Sequence, residues 1–130
     1  MRFKEPKNTE GVKWTQHIKE KMMFYGLSET KIKYVLRRPD RIEEGIALRT
    51  TAVMQRTGSE KNPSEIWVMY QKKAESRKPK AERGKEKNLK DILARKEKII
   101  IISAWRYPGI SPQGPPPIPE DIIREISQLL

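Results

Sequence analysis

The sequence predicts an α+β domain, with helices at both ends of the chain and a sheet between them. Apolar residues recur at helical spacing before Pro39 and again after Pro119, whereas β-branched and aromatic residues dominate between these points. A run of antiparallel strands with helices segregated at the ends is typical of this class. With 130 residues, the chain should form one domain over residues 13–130 after a flexible arm at residues 1–12.

Two helices are predicted at the start of the domain. The first begins near Trp14 and is followed by Gly26, which stands where a helix C-terminal stop is expected. The second is shorter, with Ser28 as its N-cap and Pro39 ending it. Together they should form a helical hairpin. Their apolar stripes consist of Trp14, Ile18, Met22 and Tyr25, and of Ile32, Val35 and Leu36.

Beyond Pro39 the helical spacing gives way to the alternation that is typical of strands. The segment TGSEKNPS, residues 57–64, is a dense turn signal between two of them. The last strand, KIIIISAWRY, contains four successive isoleucines, which favours burial of both its faces. Trp67 and Trp105 are predicted to be core residues rather than platforms on which bases stack. The expected four-stranded antiparallel sheet comprises strands over residues 41–48, 50–57, 65–71 and 98–106.

A charged insertion, residues 72–97, precedes the last strand. Residues 72–98 contain twelve basic and five acidic residues, so they carry seven of the eleven net positive charges of the chain. Many charges and few apolar residues are typical of a mobile hairpin extension. We expect a partial helix over residues 87–96 and no regular structure in the rest of the insertion.

The C-terminal part combines a proline-rich stretch, YPGISPQGPPPIP, with an amphipathic helix. The prolines predict an extended chain. Pro119, Glu120 and Asp121 suit the first turn of a helix over residues 119–130. This helix should dock on the domain, with a protein partner as the alternative. Its apolar stripe consists of Ile122, Ile123, Ile126, Leu129 and Leu130.

Composition narrows the classes of function. A formal net charge of +11 favours a polyanionic partner, nucleic acid first among them. The absence of cysteine excludes disulfides, thiolate zinc sites and cysteine nucleophiles, and a single histidine excludes a multi-histidine metal site. No metal or other cofactor is expected. No signal-peptide pattern and no apolar run of about 20 residues is present, so a cytoplasmic protein without a membrane partner is predicted.

Several of these segments resemble a known family. The helix that carries His17, the step YGLSE into a helix ending VLRRPDRI, and the strand KIIIISAWR are similar to an uncharacterised bacterial domain family near the RelE and BrnT toxins. The resemblance covers residues 14–71 and 98–108. The last strand of those relatives ends in an apolar-Ser-Ala-Arg pattern, here IISAWR with Trp105 before Arg106. The charged insertion and the proline-rich tail depart from the compact toxin pattern.

The resemblance implies a fold on which some members cleave RNA. Attack of a ribose 2′-hydroxyl on its phosphate needs a proton acceptor, a donor to the leaving oxygen and cations for the developing charge. The catalytic candidates are His17, Arg56, Arg106 and Tyr70, with Tyr107 as an alternative donor. The residues expected to contact nucleic acid are Lys72, Lys73, Arg77, Lys78, Lys80, Arg83, Lys85 and Lys87.

Three of the four catalytic candidates also have a structural interpretation. His17 lies at the margin of the apolar stripe of its helix, which favours a hydrogen bond to the second helix or the sheet over acid/base catalysis. Arg56 and Arg106 at strand ends could contact phosphate or, equally, solvent or a carboxylate such as Glu43 or Glu44.

The predicted function is therefore RNA binding by a protein that resembles toxin-type ribonucleases, with metal-independent cleavage through the 2′-hydroxyl as an activity that the resemblance implies. RNA is expected rather than DNA, and an antitoxin is a potential protein partner. The alternative is a noncatalytic module that binds a protein or ribosomal partner.

Overall fold

The structure is a computed structural model that describes residues 4–45, 49–74 and 97–129. The expected helix over residues 87–96 lies outside the described residues, as does residue 130. The strands are β1 (Val12–Trp14), β2 (Arg41–Glu44), β3 (Thr50–Gly58), β4 (Pro63–Ala74) and β5 (Glu97–Pro108). The helices are α1 (Gln16–Tyr25), α2 (Glu29–Arg37) and α3 (Glu120–Leu129). None of these helices is long and apolar enough to cross a membrane.

The strands form one mixed sheet in the order β1-β5-β4-β3-β2. The α+β class is confirmed, but the prediction of a four-stranded, wholly antiparallel sheet was wrong. Strand β1 adds a fifth strand, parallel to β5, with Val12 opposite Ile99 and Trp14 opposite Ile101. Three residues are too few to show an alternating pattern, so this edge strand left no signal in the sequence. Val12, the last residue of the predicted arm, therefore belongs to the sheet.

Both predicted N-terminal helices are present, and their ends are capped by side chains. Helix α1 begins later than expected, because the hydroxyl of Thr15 accepts a hydrogen bond from Ile18 N at 3.1 Å and so makes Thr15 the N-cap. Trp14 is thus a strand residue, although it packs in the same core cluster as Ile18. Gly26 ends α1 with a left-handed backbone, φ 68°, which glycine adopts without steric cost. Ser28 caps α2 by accepting from Lys31 N.

The sheet is covered on both faces. Helices α1 and α2 pack on one face, and α3 packs on the other. Trp67 and Trp105 are completely buried under α3 with parallel rings, their centroids 6.0 Å apart, which confirms them as core residues. Ile122 and Ile126 of α3 are buried in this second core, so the C-terminal helix docks on its own domain.

A bulge interrupts the pairing of β4 with β5. Met69 lies opposite Ser103, whereas Tyr70 lies opposite Ile101, so Ile102 has no direct partner. A bulge reverses the alternation of side chains beyond it. Ser103, directly opposite Met69, shares a face with it, and the neighbouring Ile102 packs on this same face. Ser103 is fully buried, and its hydroxyl lies beside His17 of α1.

Candidate functional site

Five polar side chains meet where α1, β5 and α3 come together. His17 and Lys21 extend from adjacent turns of α1, Ser103 comes from β5, and Asp121 and Glu125 come from adjacent turns of α3. In both helices the spacing of four residues places the paired side chains on one face. We refer to these residues as the polar cluster.

His17 is at the centre of the polar cluster. Its Nε2 lies 3.0 Å from the Oγ of Ser103, and its Nδ1 lies 3.6 Å from a carboxylate oxygen of Glu125. Burial lowers the pKa of His17, and this effect outweighs the Glu125 carboxylate, which acts in the opposite direction. The imidazole is therefore neutral at pH 7. The prediction that His17 hydrogen-bonds a partner on the sheet is confirmed.

Lys21 joins the same two helices by ion pairs. Its Nζ lies 3.1 Å from Asp121 and 3.0 Å from Glu125. Burial on its own would lower the pKa of Lys21, but the two carboxylates raise it, so the ammonium stays charged. For Asp121, burial on its own would raise the pKa of the carboxyl group, but the hydrogen bond from Lys21 outweighs this effect and the pKa is lowered. The pairing thus holds a cation and two anions together at the α1–α3 contact.

The order serine, histidine, carboxylate has the form of a relay that activates a nucleophile. Three features of this cluster argue against that chemistry. The 3.6 Å from His17 Nδ1 to Glu125 exceeds a hydrogen bond, and Lys21 already neutralises that carboxylate. Ser103 is 0% exposed and His17 only 8%, so a substrate has no path to the hydroxyl while α3 is docked. The arrangement is suited to holding α1, β5 and α3 together.

The other catalytic candidates lie apart from His17 and from one another. Arg106 donates from Nε to the carbonyl of Tyr25 at 2.8 Å and from Nη2 to that of Gly26 at 3.4 Å, so it caps the C-terminal end of α1 rather than pairing with Glu43 or Glu44.

Arg56 is exposed, and its backbone N–H donates to Asp40. Arg56 lies opposite Glu65 and Arg106 lies opposite Ile66, so the two guanidinium groups project from opposite faces of the sheet.

Tyr70 is half-buried against the core under α1 and α2. It lies four residues from Ile66 along β4, about 13 Å from the level of Arg106 at ~3.3 Å per residue. Tyr107, the alternative donor, packs at the margin of the opposite core. The structure therefore does not bring the predicted acid, base and cations around one phosphate.

A second polar site, not predicted from the sequence, fixes the proline-rich tail. The carboxylate of Glu65 is fully buried and accepts from Trp67 Nε1 at 2.9 Å, from Ser111 N at 3.0 Å and from Ser111 Oγ at 2.6 Å. Burial would raise the pKa of Glu65, but these bonds lower it, so the carboxylate is ionised. The sequence holds one signal of it, since Glu65 and Trp67 are two residues apart and share a face of β4.

Arg41, the first residue of β2, also contributes to this site. Its guanidinium stacks on Trp67, 5.1 Å from the ring centroid, and donates to Ser111, to the carbonyl of Pro112 and to that of Gly114. Its Nε donates to Glu43 at 3.0 Å. Each group here is used to bind the chain itself, so this is a clamp for the tail and offers no vacant ligand position.

All eight residues predicted to contact nucleic acid fall in the insertion, and two of them are among the described residues. Lys72 is exposed near the end of β4, and the backbone of Lys73 lies opposite Lys98. The remaining six lie outside the described residues: Arg77, Lys78, Lys80, Arg83, Lys85 and Lys87.

Comparison of the chain with protein-family models, with curated proteins and with solved structures found no match.

Proposed function

We propose that this protein is an RNA-binding module with a RelE/BrnT-like fold, and that it binds RNA chiefly through the basic insertion. The observation that carries the proposal is the distribution of charge: seven of the eleven net positive charges lie in residues 72–98. A polyanion gains affinity from such a cluster by release of its counterions. The resemblance to RelE and BrnT toxins favours RNA over DNA.

The anchoring of the insertion supports this function. Its two ends meet at one end of the sheet, where Ala74 lies opposite Glu97. Lys72 and Lys98 flank this point, so basic residues continue from the insertion into the paired strands. The insertion thus joins two neighbouring strands, β4 and β5, that are also paired along the rest of their length.

The proposal does not assign cleavage of RNA to the four catalytic candidates. His17 is used in the polar cluster and Arg106 in capping α1, while Arg56 and Tyr70 lie on other parts of the sheet. A phosphodiester cannot contact all four together. Cleavage of RNA remains the activity that the resemblance implies, and it would need a different set of groups.

Deletion of the insertion tests the proposal. Because Ala74 and Glu97 are directly opposed, residues 75–96 can be replaced by an Asn-Gly turn that closes a regular hairpin. A second variant keeps the length of the insertion and replaces the nine basic residues within residues 75–96 with Gln. RNA affinity is measured by fluorescence anisotropy over a salt series, with a melting curve for each protein.

We expect both variants to fold and to bind RNA more weakly. The salt slope should fall by about 0.7 for each phosphate of a single strand that the protein no longer neutralises. Unchanged affinity and slope in folded variants would contradict the proposal. An effect of the deletion without an effect of the Gln variant would also contradict it, because length and not charge would then be responsible.

A further inference from the structure

Helix α2 presents a basic surface with an aromatic ring at its centre. Lys31, Tyr34 and Arg37 follow one another at intervals of three residues along α2, so they lie on neighbouring positions of its surface, and Arg38 is the C-cap residue directly after them. We call these four residues the α2 patch. The opposite face of α2 is buried by Ile32 and Val35, which fixes the patch toward solvent.

The two arginines of the α2 patch have no polar partner for their side chains among the described residues. Arg37 and Arg38 are exposed, and neither guanidinium has an ion pair or hydrogen bond within the described ranges 4–45, 49–74 and 97–129. Glu29, the nearest carboxylate on α2, pairs instead with Lys33 at 2.9 Å. Two guanidinium groups with free donors are suited to phosphate oxygens.

Tyr34 is held in place but not enclosed. The ammonium of Lys31 lies 5.4 Å from its ring centroid, and Lys31 is itself fixed by a 3.1 Å bond to Gln55 on β3. The side chain of Tyr34 is 41% exposed, in contrast to the buried Trp67 and Trp105. A positioned aromatic ring between cations offers a stacking surface for an unpaired base.

We propose that the α2 patch binds single-stranded RNA, with a base stacked on Tyr34 and the adjoining phosphates on Arg37 and Arg38. This inference rests on the proposed RNA binding, and it adds the α2 patch to the basic insertion as a second surface that contacts RNA. Stacking on Tyr34 requires a base that is not paired, so the patch distinguishes single strands from duplexes.

The patch and the insertion lie at different ends of the sheet. Gln55, which contacts the patch, lies opposite Ile66 on β4, six residues from Lys72. At ~3.3 Å per residue, Lys72, where the insertion begins, is about 20 Å along the strand from the level of Gln55. A strand long enough to reach both should therefore gain affinity from each.

The test uses the full chain and a fluorescein-labelled single-stranded RNA of about 12 nucleotides, within the site size of known single-strand binders. Arg37→Gln/Arg38→Gln removes the guanidinium groups. Lys7→Gln/Lys13→Gln is the matched control, since both lysines are exposed and Lys13 lies on β1, at the sheet edge opposite to β2. Affinity is measured over a salt series, and melting curves confirm that each variant folds.

We expect the double arginine variant to lower the salt slope by about 1.4, because two phosphates are then no longer neutralised. The double lysine control should keep the wild-type slope. Equal slopes for the two double variants would overturn the inference while leaving the proposed function in place. Failure of the wild-type protein to bind any RNA would overturn both.

Stacking is tested separately from charge. Tyr34→Leu should weaken binding to the single strand at least about fivefold with no change in salt slope, and Tyr34→Phe should retain wild-type affinity. A duplex of the same sequence should bind Tyr34→Leu and wild type equally. The same loss of affinity for the single strand and the duplex in Tyr34→Leu would overturn the stacking role.

Discussion

His17 Nε2 and Ser103 Oγ lie 3.0 Å apart, although 86 positions separate the two residues in sequence. This bond links the first helix of the chain to its last strand. Because both groups are buried, each would be left without a partner if the other were removed. The pair therefore stabilises the contact between α1 and β5.

His17→Ala should lower the free energy of unfolding by about 1–3 kcal/mol, because it leaves the Ser103 hydroxyl buried without a partner and opens a cavity. In a double-mutant cycle with Ser103→Ala, the two losses should be non-additive by ~0.5 kcal/mol or more. Urea unfolding of the four proteins measures both quantities. Additive losses would show that the bond does not contribute.

Stability should also depend on the protonation of His17. The folded-state pKa of His17 is lowered, so the unfolded chain takes up a proton first as the pH falls. Neutral His17 contributes fully to the free energy of unfolding above its pKa in the unfolded chain, about 6.5. This contribution is lost as the pH falls from that value toward the lower pKa of His17 in the folded protein. Urea unfolding between about pH 7.5 and 5.5 should show a decline that His17→Gln removes. A wild-type profile as flat as that of His17→Gln would contradict this.

Glu65→Gln should destabilise the protein by about 2–4 kcal/mol, since the carboxylate accepts three hydrogen bonds and an amide nitrogen would face donors instead. Glu60, an exposed residue in the turn between β3 and β4, provides the control. Glu60→Gln should change the free energy of unfolding by no more than about 0.5 kcal/mol. Thermal melting compares the two. Similar melting temperatures for both variants would show that the clamp on the tail contributes little.

Docking of α3 can be tested on one face of the helix at a time. Ile126→Ala removes a side chain that is 1% exposed and should cost about 2–5 kcal/mol. Ile123→Ala, on a residue that is 40% exposed, should cost well under about 1 kcal/mol. Equal effects of the two substitutions on chemical denaturation would contradict intramolecular docking of α3 through this face.

Local patterns in the sequence were sufficient for most of the fold. Helices α1 and α2 were predicted from the spacing of their apolar residues and from the capping residues Gly26 and Ser28. The hydrogen bonds of these caps join residues that are only a few positions apart in the sequence. Strands β3, β4 and β5 were predicted because their residue types and alternation are local properties as well.

The features that the sequence did not predict depend on distant partners. Strand β1 exists because β5 offers it an edge, and three residues carry no pattern of their own. Glu65 is buried because Ser111, 46 positions away, supplies its donors. The polar cluster likewise needs α3 to bring Glu125 to His17. The predicted hydrogen bond between His17 and the sheet is present, but its partner Ser103 was not identified from the sequence.

The central claim is that the protein binds RNA and that His17 does not cleave it. A single-turnover experiment with total RNA is the most direct test of this claim. Protein in excess is incubated with labelled RNA, and retention on a filter is measured beside the length of the recovered strands. We predict that the RNA is retained, and that the recovered strands have the same length with wild type and with a folded His17→Ala protein. Fragments that appear with wild type and disappear with His17→Ala, or a complete lack of retention, would contradict the account.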